Sequence, residues 1–177
     1  GESGAGKSLT GAAIIGLIDP PGRIAAGEIR LAGRRIDNLP YDAMRAVRPI
    51  EEVTVVSRTN EPARRLVERL VEDGISARVG VPDDVRNADV VCTCTTSVTP
   101  VFDGSSLPAG CHVNAVGSSS TGDRELDSAA LSNAAIVVET REAAVAEAGD
   151  LVMAFGAGTA DRIDADLQQL VRGATVD

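Results

Sequence analysis

Short apolar runs rich in β-branched residues alternate with longer helix-compatible stretches from residue 53 onward. The runs predict strands at residues 53–56, 77–81, 89–95, 112–117 and 135–139. They are apolar almost throughout, which is typical of parallel strands that are covered on both faces. Because strands and helices alternate along the chain, the sequence predicts an α/β fold with a doubly wound, mostly parallel sheet.

The strand predicted at residues 89–95 contains Cys92 and Cys94, two of the three cysteines. This run is apolar and β-prone, so we expect a buried strand in which both thiols pack as small hydrophobic groups. Cys111 and His112 follow at a spacing unlike the C-x₂₋₄-C pairs of structural zinc, and no metal site is predicted. His112 begins the next strand, and we expect it to be structural.

The last stretch, residues 159–172, is predicted to form one amphipathic helix. Its apolar face would carry Ile163, Leu167, Leu170 and Val171. Residues three or four apart share one face of a helix, and this spacing is the basis of the prediction.

The first eight residues match the phosphate-binding pattern G-x-x-x-x-G-K-[ST], with Gly1, Gly6, Lys7 and Ser8 at the defined positions. In such a loop backbone N–H groups surround the phosphate oxygens, the lysine reaches the terminal phosphates and the hydroxyl binds Mg²⁺. Gly4 adds a further position that tolerates positive φ. The motif therefore predicts a P-loop for ATP and Mg²⁺ at Gly4, Gly6, Lys7 and Ser8, although no strand precedes it.

Charge is unevenly distributed along the chain, whose formal net charge is −9. Residues 1–48 contain seven basic and five acidic side chains, whereas residues 49–177 contain ten and 21. The acidic excess disfavours nucleic-acid and anionic-membrane partners, because phosphate groups would be repelled. No run approaches the ~20 apolar residues of a membrane-spanning helix, and no secretory signal is present. We expect a soluble, cytoplasmic protein with reduced thiols.

Polar segments follow three of the predicted strands, at residues 57–60, 94–100 and 117–123. Ligands of doubly wound sheets bind beyond the carboxyl ends of the strands. Ser57 and Arg58 stand where a dinucleotide-binding fold contacts the adenosine ribose. An acidic residue there would favour NAD, whereas an arginine favours a 2′-phosphate and hence NADP. An ordinary solvated arginine remains an equal interpretation of Arg58 taken alone.

Residues 1–48 resemble the start of the ATP-binding subunit of peptide-type ABC transporters. The resemblance is carried by GESGAGKSLTGAAIIGL, GEIRLAGRRI and NLPYDAMRAVR. It implies a P-loop fragment as a first domain. The residues themselves predict a helix at residues 8–18, which a Pro-Pro-Gly cluster follows, and a strand and turn at residues 27–36. The Q-loop, signature motif, Walker B carboxylate and switch histidine of that family do not follow, so ATP hydrolysis is not expected.

Residues 43–177 resemble the NAD(P)-binding half of the ornithine cyclodeaminase and mu-crystallin family. The phrases are AVRPIEEVTVVSRT, ADVVCTCTTSVTPVFDG, GCHVNAVGSSSTGDRELD and REAAVAEAGDL. The resemblance implies a Rossmann-like domain at residues 49–177, with a dinucleotide and a homodimer as partners. AMRAVR fits both families, so we expect a junction between two kinds of protein at residues 43–48.

The resemblance also implies that parts of the family's machinery are missing. The family binds the cofactor pyrophosphate with a G-x-G-x-Q-A loop after its first strand, and the transporter-like segment stands in that place. Its substrate-binding arginine and lysine come from an N-terminal domain without a counterpart here. We therefore expect an incomplete sheet and a truncated module that is inactive alone.

The resemblance assigns cofactor-binding roles to Ser57, Arg58, Thr59, Thr93, Thr95, Ser97, Val116, Gly117 and Ser119. The first three would hold the adenosine 2′-phosphate, and the two threonines and the serine that follow would line the cofactor crevice. Val116 and Gly117 would approach the nicotinamide. No catalytic residue is assigned.

Ser119 stands where ornithine cyclodeaminases carry the aspartate of their ammonia-releasing step, and Asp123 replaces their usual lysine. This departure favours the ketimine-reductase or imino-acid-reductase branch, in which a hydride passes between NADPH and a cyclic imine or imino acid. The predicted function is the NAD(P)-binding module of such an oxidoreductase. The alternatives are an ATP-binding P-loop protein of an ABC peptide transporter and a non-catalytic chimera.

Overall fold

The computed structural model describes residues 30–31, 33–36, 39, 43 and 50–176. The chain divides into two compact units, Gly1–Val53 with Leu70–Ser76 and Thr54–Arg69 with Ala77–Asp177. The predicted helix at residues 8–18 lies outside the described residues. The domain boundary expected between residues 48 and 49 stays a prediction.

A short hairpin is described in the first unit. It pairs β1 (Arg30–Leu31) with β2 (Arg34–Arg35) in antiparallel orientation. Gly33 in the turn has φ of 78°, a conformation that costs glycine little because it has no Cβ. The strand and turn expected at residues 27–36 are therefore confirmed where this segment is described.

The remaining elements alternate between strand and helix. The chain continues with β3 (Val53–Val55), α1 (Asn60–Glu72), β4 (Ala77–Val79), β5 (Val90–Thr93) and β6 (His112–Ala115). It then forms α2 (Ser128–Ser132), β7 (Val137–Val138), α3 (Arg141–Glu147) and α4 (Gly149–Phe155). The last elements are α5 (Thr159–Arg162), β8 (Ala165–Asp166) and α6 (Leu167–Val171). Short 3₁₀ helices lie at Pro82–Asn87, Gly104–Ser106 and Gly156–Gly158.

The paired strands of the described chain confirm the α/β class. β5 and β6 are parallel, with Val90 opposite His112 and Thr93 opposite Ala115. β7 and β8 are also parallel, and β3 neighbours β4. The described ladders form two-stranded pairs instead of one continuous sheet. Strands of two to four residues explain this, since they offer few backbone groups for a second partner.

The hydrophobic core covers one face of the β5–β6 pair. Val91 and Val113 point toward a buried cluster of Phe102, Leu126, Leu131, Ile136, Ala144, Leu151 and Ile163. The side chains of Val90, Cys92, His112 and Asn114 on the two strands are exposed. The expectation of a fully buried strand is therefore wrong, and Cys94 is exposed as well. Successive side chains of a strand point to opposite faces, and the core contacts only one of them.

The predicted single helix at residues 159–172 is also wrong, because β8 interrupts it. Ala165 pairs with Val137, and the Asp164 carboxylate accepts the Ile136 N–H at 2.7 Å. Asp166 then caps α6: its carboxylate accepts the Gln169 N–H at 2.8 Å, and the Gln169 side chain accepts the Asp166 N–H at 2.9 Å. This reciprocal capping box starts a new helix.

Candidate functional site

Two loops leave the β5–β6 pair at the carboxyl ends of its strands. The first crevice loop, residues 94–99, follows β5, and the second crevice loop, residues 116–123, follows β6. The Val116 N–H donates to the Thr93 carbonyl at 3.0 Å and extends the ladder between them. Because the strands are parallel, both loops lie at the edge where α/β sheets bind ligands.

Gly117 lies against the first crevice loop with no room for a side chain. A Cβ on this residue would overlap the Thr95 carbonyl oxygen and Oε1 of Glu125. The Gly117 N–H donates to Oε2 of Glu125 at 2.7 Å. This N–H is therefore engaged within the protein, and the glycine is required by the close approach of the loops.

The buried carboxylate of Glu125 joins the two crevice loops. Its residue is 0% exposed, and its Oε1 accepts the Thr95 N–H at 2.5 Å. Burial raises the pKa of Glu125, but the Thr95 and Thr93 side chains and the N–H groups of Thr95 and Gly117 outweigh burial and leave the pKa below its usual value. Glu125 is therefore an ionised acceptor for one backbone N–H of each loop.

Asp150 at the start of α4 fixes the backbone of Glu125. Its Oδ1 accepts the N–H groups of Glu125 at 2.7 Å and Leu126 at 2.9 Å. Its own N–H donates to the Ser118 hydroxyl at 2.8 Å. Burial raises the pKa of Asp150, and the backbone hydrogen bonds oppose this effect only in part. One residue thus connects α4, the Glu125 segment and the second crevice loop.

The second crevice loop is also held by contacts of its own. The Ser120 hydroxyl donates to the Asp123 carboxylate at 2.8 Å, and the Asp123 N–H donates to the Ser120 carbonyl at 3.0 Å. A Cβ on Gly149 would overlap the carbonyl oxygens of both residues. The N-terminal end of α4 therefore packs directly on this loop.

Hydroxyl groups of the first crevice loop form local bonds. The Thr95 hydroxyl accepts the Ser97 N–H at 3.2 Å, and the Ser97 hydroxyl donates to the Thr99 carbonyl at 2.6 Å. Thr93 is buried, and its hydroxyl lowers the pKa of Glu125. In the described part of the chain this hydroxyl has no hydrogen-bond partner of normal geometry. Ser119 is exposed. The structure thus brings six of the predicted site residues together: Thr93, Thr95, Ser97, Val116, Gly117 and Ser119.

The other three predicted cofactor residues, Ser57, Arg58 and Thr59, lie between β3 and α1 and are exposed. No hydrogen bond described for residues 50–176 joins them to the crevice loops. Arg58 is exposed and makes no ion pair with another described residue. The predicted P-loop residues Gly4, Gly6, Lys7 and Ser8 lie outside the described residues.

The thiols of the described chain lie outside any cluster of metal-ligating side chains. Cys92, Cys94 and Cys111 are free, and no group of three or more metal-ligating side chains occurs among the described residues. Burial raises the pKa of Cys94, and the neighbouring Cys92 and Glu125 raise it further. Cys94 therefore stays a thiol at neutral pH and is not an activated nucleophile.

None of the helices in the described part of the chain has the length and apolar character needed to span a bilayer.

Glu125 and Asp150 were not predicted as site residues from the sequence. Each precedes a buried leucine, Leu126 or Leu151. Asp150 adjoins the apolar phrase LVMAF, which was an available signal, whereas Glu125 stands in the charged phrase DRELD and gave none. Acidic residues near a helix start are more commonly caps, as Asp127 is for α2. Only the tertiary contacts distinguish these two roles.

Parallel α/β pairing with a glycine-containing crevice at the strands' carboxyl ends defines a dinucleotide-binding type of fold. The family model of the ornithine cyclodeaminase/mu-crystallin family matches residues 35–176. The chain belongs to this family. The match begins inside residues 1–48, the segment that resembles the transporter subunit.

Comparison with individual proteins agrees with this assignment. The Δ¹-pyrroline-2-carboxylate reductase of Bacillus cereus is 38% identical over 143 residues, which cover 75% of this chain and 42% of that protein. The reductase of the same name from Thermococcus litoralis, solved with NADH and L-proline, superposes with a TM-score of 0.68 at 28% identity over 74% of this chain and 42% of that one. An archaeal alanine dehydrogenase dimer with bound NAD gives 0.68 at 30% identity over 75% and 42%. The chain thus spans less than half the length of these relatives.

Proposed function

We propose that this chain is the NAD(P)-binding part of an oxidoreductase that reduces a cyclic imine or imino acid. The observation that carries the proposal is the pair of crevice loops, joined by Glu125 at the carboxyl ends of β5 and β6. Family membership and the relative that is named a pyrroline-2-carboxylate reductase support the reaction class. A bound dinucleotide would supply the hydride, and the chain would bind and orient it.

The crevice offers distinct groups to each part of the dinucleotide. Thr93, Thr95 and Ser97 would line the cofactor crevice. Val116 is 66% exposed and offers an apolar surface for the nicotinamide ring. Gly117 would contact the ring through its Cα, because Glu125 accepts its N–H. The exposed Ser119 would add a polar contact.

Catalytic residues stay unassigned in this proposal. A proton donor must reach the substrate, and a carboxyl, imidazolium, ammonium, phenol or thiol group can serve. The carboxylates of the described crevice already accept hydrogen bonds: Glu125 and Asp150 from two backbone N–H groups each, and Asp123 from the Ser120 hydroxyl. We therefore propose that the chain by itself binds the dinucleotide without turning over a substrate.

We propose NADP as the preferred cofactor, with Ser57, Arg58 and Thr59 around the 2′-phosphate. The support is the exposed guanidinium of Arg58 directly after β3, since an arginine can form a charged fork with a phosphate. The solved relatives named above contain NADH or NAD, so NAD is the alternative.

Calorimetric titration with NADPH and NADH tests this proposal. A charge-assisted hydrogen bond contributes about 1.5–3 kcal/mol, so the Arg58→Ala substitution should weaken NADPH binding about tenfold to a hundredfold and leave NADH binding unchanged. Arg69→Ala, which changes an exposed arginine in the last turn of α1, is the matched control. Equal binding of both dinucleotides by the unaltered chain would contradict the NADP preference. Binding of neither would contradict the function.

A homodimer is proposed as the assembly, with the alanine dehydrogenase dimer as its support. A cytoplasmic location is proposed because the three cysteines are free thiols, which a reducing compartment maintains.

ATP and Mg²⁺ binding at a P-loop domain of residues 1–48, followed by the Rossmann-like domain of residues 49–177, is a separate proposal that rests on the motif alone. It predicts heat of binding for Mg·ATP in the same titration, lost in Lys7→Ala because the lysine reaches the terminal phosphates. Silence toward ATP and both dinucleotides would favour a non-catalytic chimera.

A further inference from the structure

The segment that contains Glu125 is hydrogen-bonded to both crevice loops. Thr95 and Gly117 stand on different loops, yet both of their N–H groups end on the carboxylate of Glu125, at 2.5 Å and 2.7 Å. One backbone bond ties the same segment to the first crevice loop, from the Arg124 N–H to the Ser97 carbonyl at 2.8 Å. A second joins it to the chain just beyond that loop, from the Val101 N–H to the Glu125 carbonyl at 2.9 Å.

The carboxylate is placed by a second buried acid. Asp150 accepts the Glu125 N–H and, through its own N–H, reaches Ser118 on the second crevice loop. The backbone position of Glu125 is therefore fixed from α4, which also packs on this loop through Gly149. A shift of Glu125 would move one loop relative to the other.

We propose that Glu125 is a positioning residue that sets the spacing of the two crevice loops by binding the N–H groups of Thr95 and Gly117. The role rests on the proposed function, because these loops are the proposed walls of the dinucleotide crevice. Glu125 contacts neither cofactor nor substrate in this role. Its carboxylate accepts two backbone N–H groups of the loops. This bonding would hold the exposed surfaces of Val116 and Ser119 toward the bound ligand.

Charge is essential to this role, because a neutral amide cannot replace both bonds. In Glu125→Gln the side-chain oxygen can still accept one N–H, while the NH₂ group faces the other as a second donor. One loop should then lose its anchor and the fold should keep its shape. The adjacent β5–β6 ladder, with Val91 and Val113 in the core, does not depend on this carboxylate.

Nuclear magnetic resonance of the ¹⁵N-labelled full chain at neutral pH tests the inference. In the unaltered chain the amide protons of Thr95 and Gly117 should resonate downfield, because each is bound to a charged acceptor. In Glu125→Gln at least one of them should move upfield and exchange with solvent at least about tenfold faster. Glu147→Gln, which neutralises an exposed glutamate on α3, should change neither.

The amides of His112 and Ala144, which donate to carbonyls outside the crevice loops, separate positioning from general stability. Unchanged exchange at these two residues, with accelerated exchange at Thr95 or Gly117, supports the inference. Equal acceleration at all four would overturn it, because Glu125 would then support the fold as a whole. Absence of the downfield resonances in the unaltered chain would overturn it without any variant.

Titration with NADPH and NADH completes the experiment. Dinucleotide binding about tenfold weaker in Glu125→Gln than in Glu147→Gln supports the inference, and equal binding in the two variants overturns it. If the unaltered chain binds no dinucleotide, the proposed function fails, and the amide measurements alone decide whether Glu125 positions the loops.

Discussion

Single residues show where sequence reasoning succeeds and where it stops. The cluster formed by Thr95, Ser97, Gly117 and Ser119 could be predicted because each follows an apolar run, and the ends of parallel strands meet at one edge. Glu125 and Asp150 could not be predicted as buried anchors. Their partners lie 8 to 32 positions away along the chain, and no local pattern encodes such contacts.

The raised pKa of Asp150 predicts a specific pH dependence of stability. Because its folded pKa lies above the value of about 3.9 in an unfolded chain, the folded state binds the proton more tightly. The contribution of Asp150 to the free energy of unfolding is therefore greatest at acid pH and falls as pH rises through the folded pKa.

The variant Asp150→Asn keeps an acceptor oxygen and cannot ionise. Urea unfolding of both proteins should show wild type gaining stability relative to Asp150→Asn as pH is lowered from 7 toward 3.5. Glu125, whose charge itself raises the pKa of Asp150, is present in both proteins. Asp161→Asn, an exposed position, should show no such trend; a pH-independent difference for Asp150→Asn would disprove the assignment.

At the scale of elements, the presence of a strand was easier to predict than the residues at which it begins and ends. All five predicted strands exist in shortened form, because apolar β-branched runs indicate strands but leave their ends open. The single helix predicted at residues 159–172 was wrong, because the prediction followed the apolar spacing around Ile163 and Leu167 and neglected a polar signal. Asp166 and Gln169 form the capping-box pattern that starts α6, and this pattern was visible in the sequence.

Arg141 holds the interrupted segment to α3. Its guanidinium donates to the carbonyls of Ile163 at 2.9 Å and Asp164 at 3.1 Å and to the Gln169 side chain at 3.3 Å. Arg141→Lys keeps the charge but loses the planar fork, so it should lower the free energy of unfolding by about 1–2 kcal/mol. Chemical denaturation measures this change, with the exposed Arg172→Lys as control. Equal stability of both variants would show that the fork contributes little.

At the scale of the whole molecule, composition and charge indicated which classes of partner are disfavoured. They did not indicate how many chains assemble. Large apolar side chains remain exposed on the described chain, among them Val98 and Val116 at 66% and Val90 at 37%. The sequence could not reveal this exposure, because apolar runs look alike whether one face or both are covered. Contacts far apart in the chain decide which faces the core reaches.

The proposed homodimer predicts a concentration-dependent mass. Burying exposed apolar surface favours association by about 25 cal/mol per Å² before the cost of lost freedom is counted. Sedimentation velocity at micromolar concentrations should therefore show a species of twice the chain mass of 18.2 kDa. The expected dimer should dissociate on dilution into the species of 18.2 kDa. A single chain mass at all concentrations would contradict the homodimer.

The anchoring of the crevice by Glu125 and Asp150 has a consequence for the order of synthesis. A ribosome delivers Thr95 and Gly117 before either carboxylate, and Asp150 emerges 25 positions after Glu125. The crevice therefore cannot take its final shape while only the strands and loops that line it have been made. The crevice reaches its final shape only after α4 has been synthesised, so a nascent chain would acquire its binding surface late and in one step.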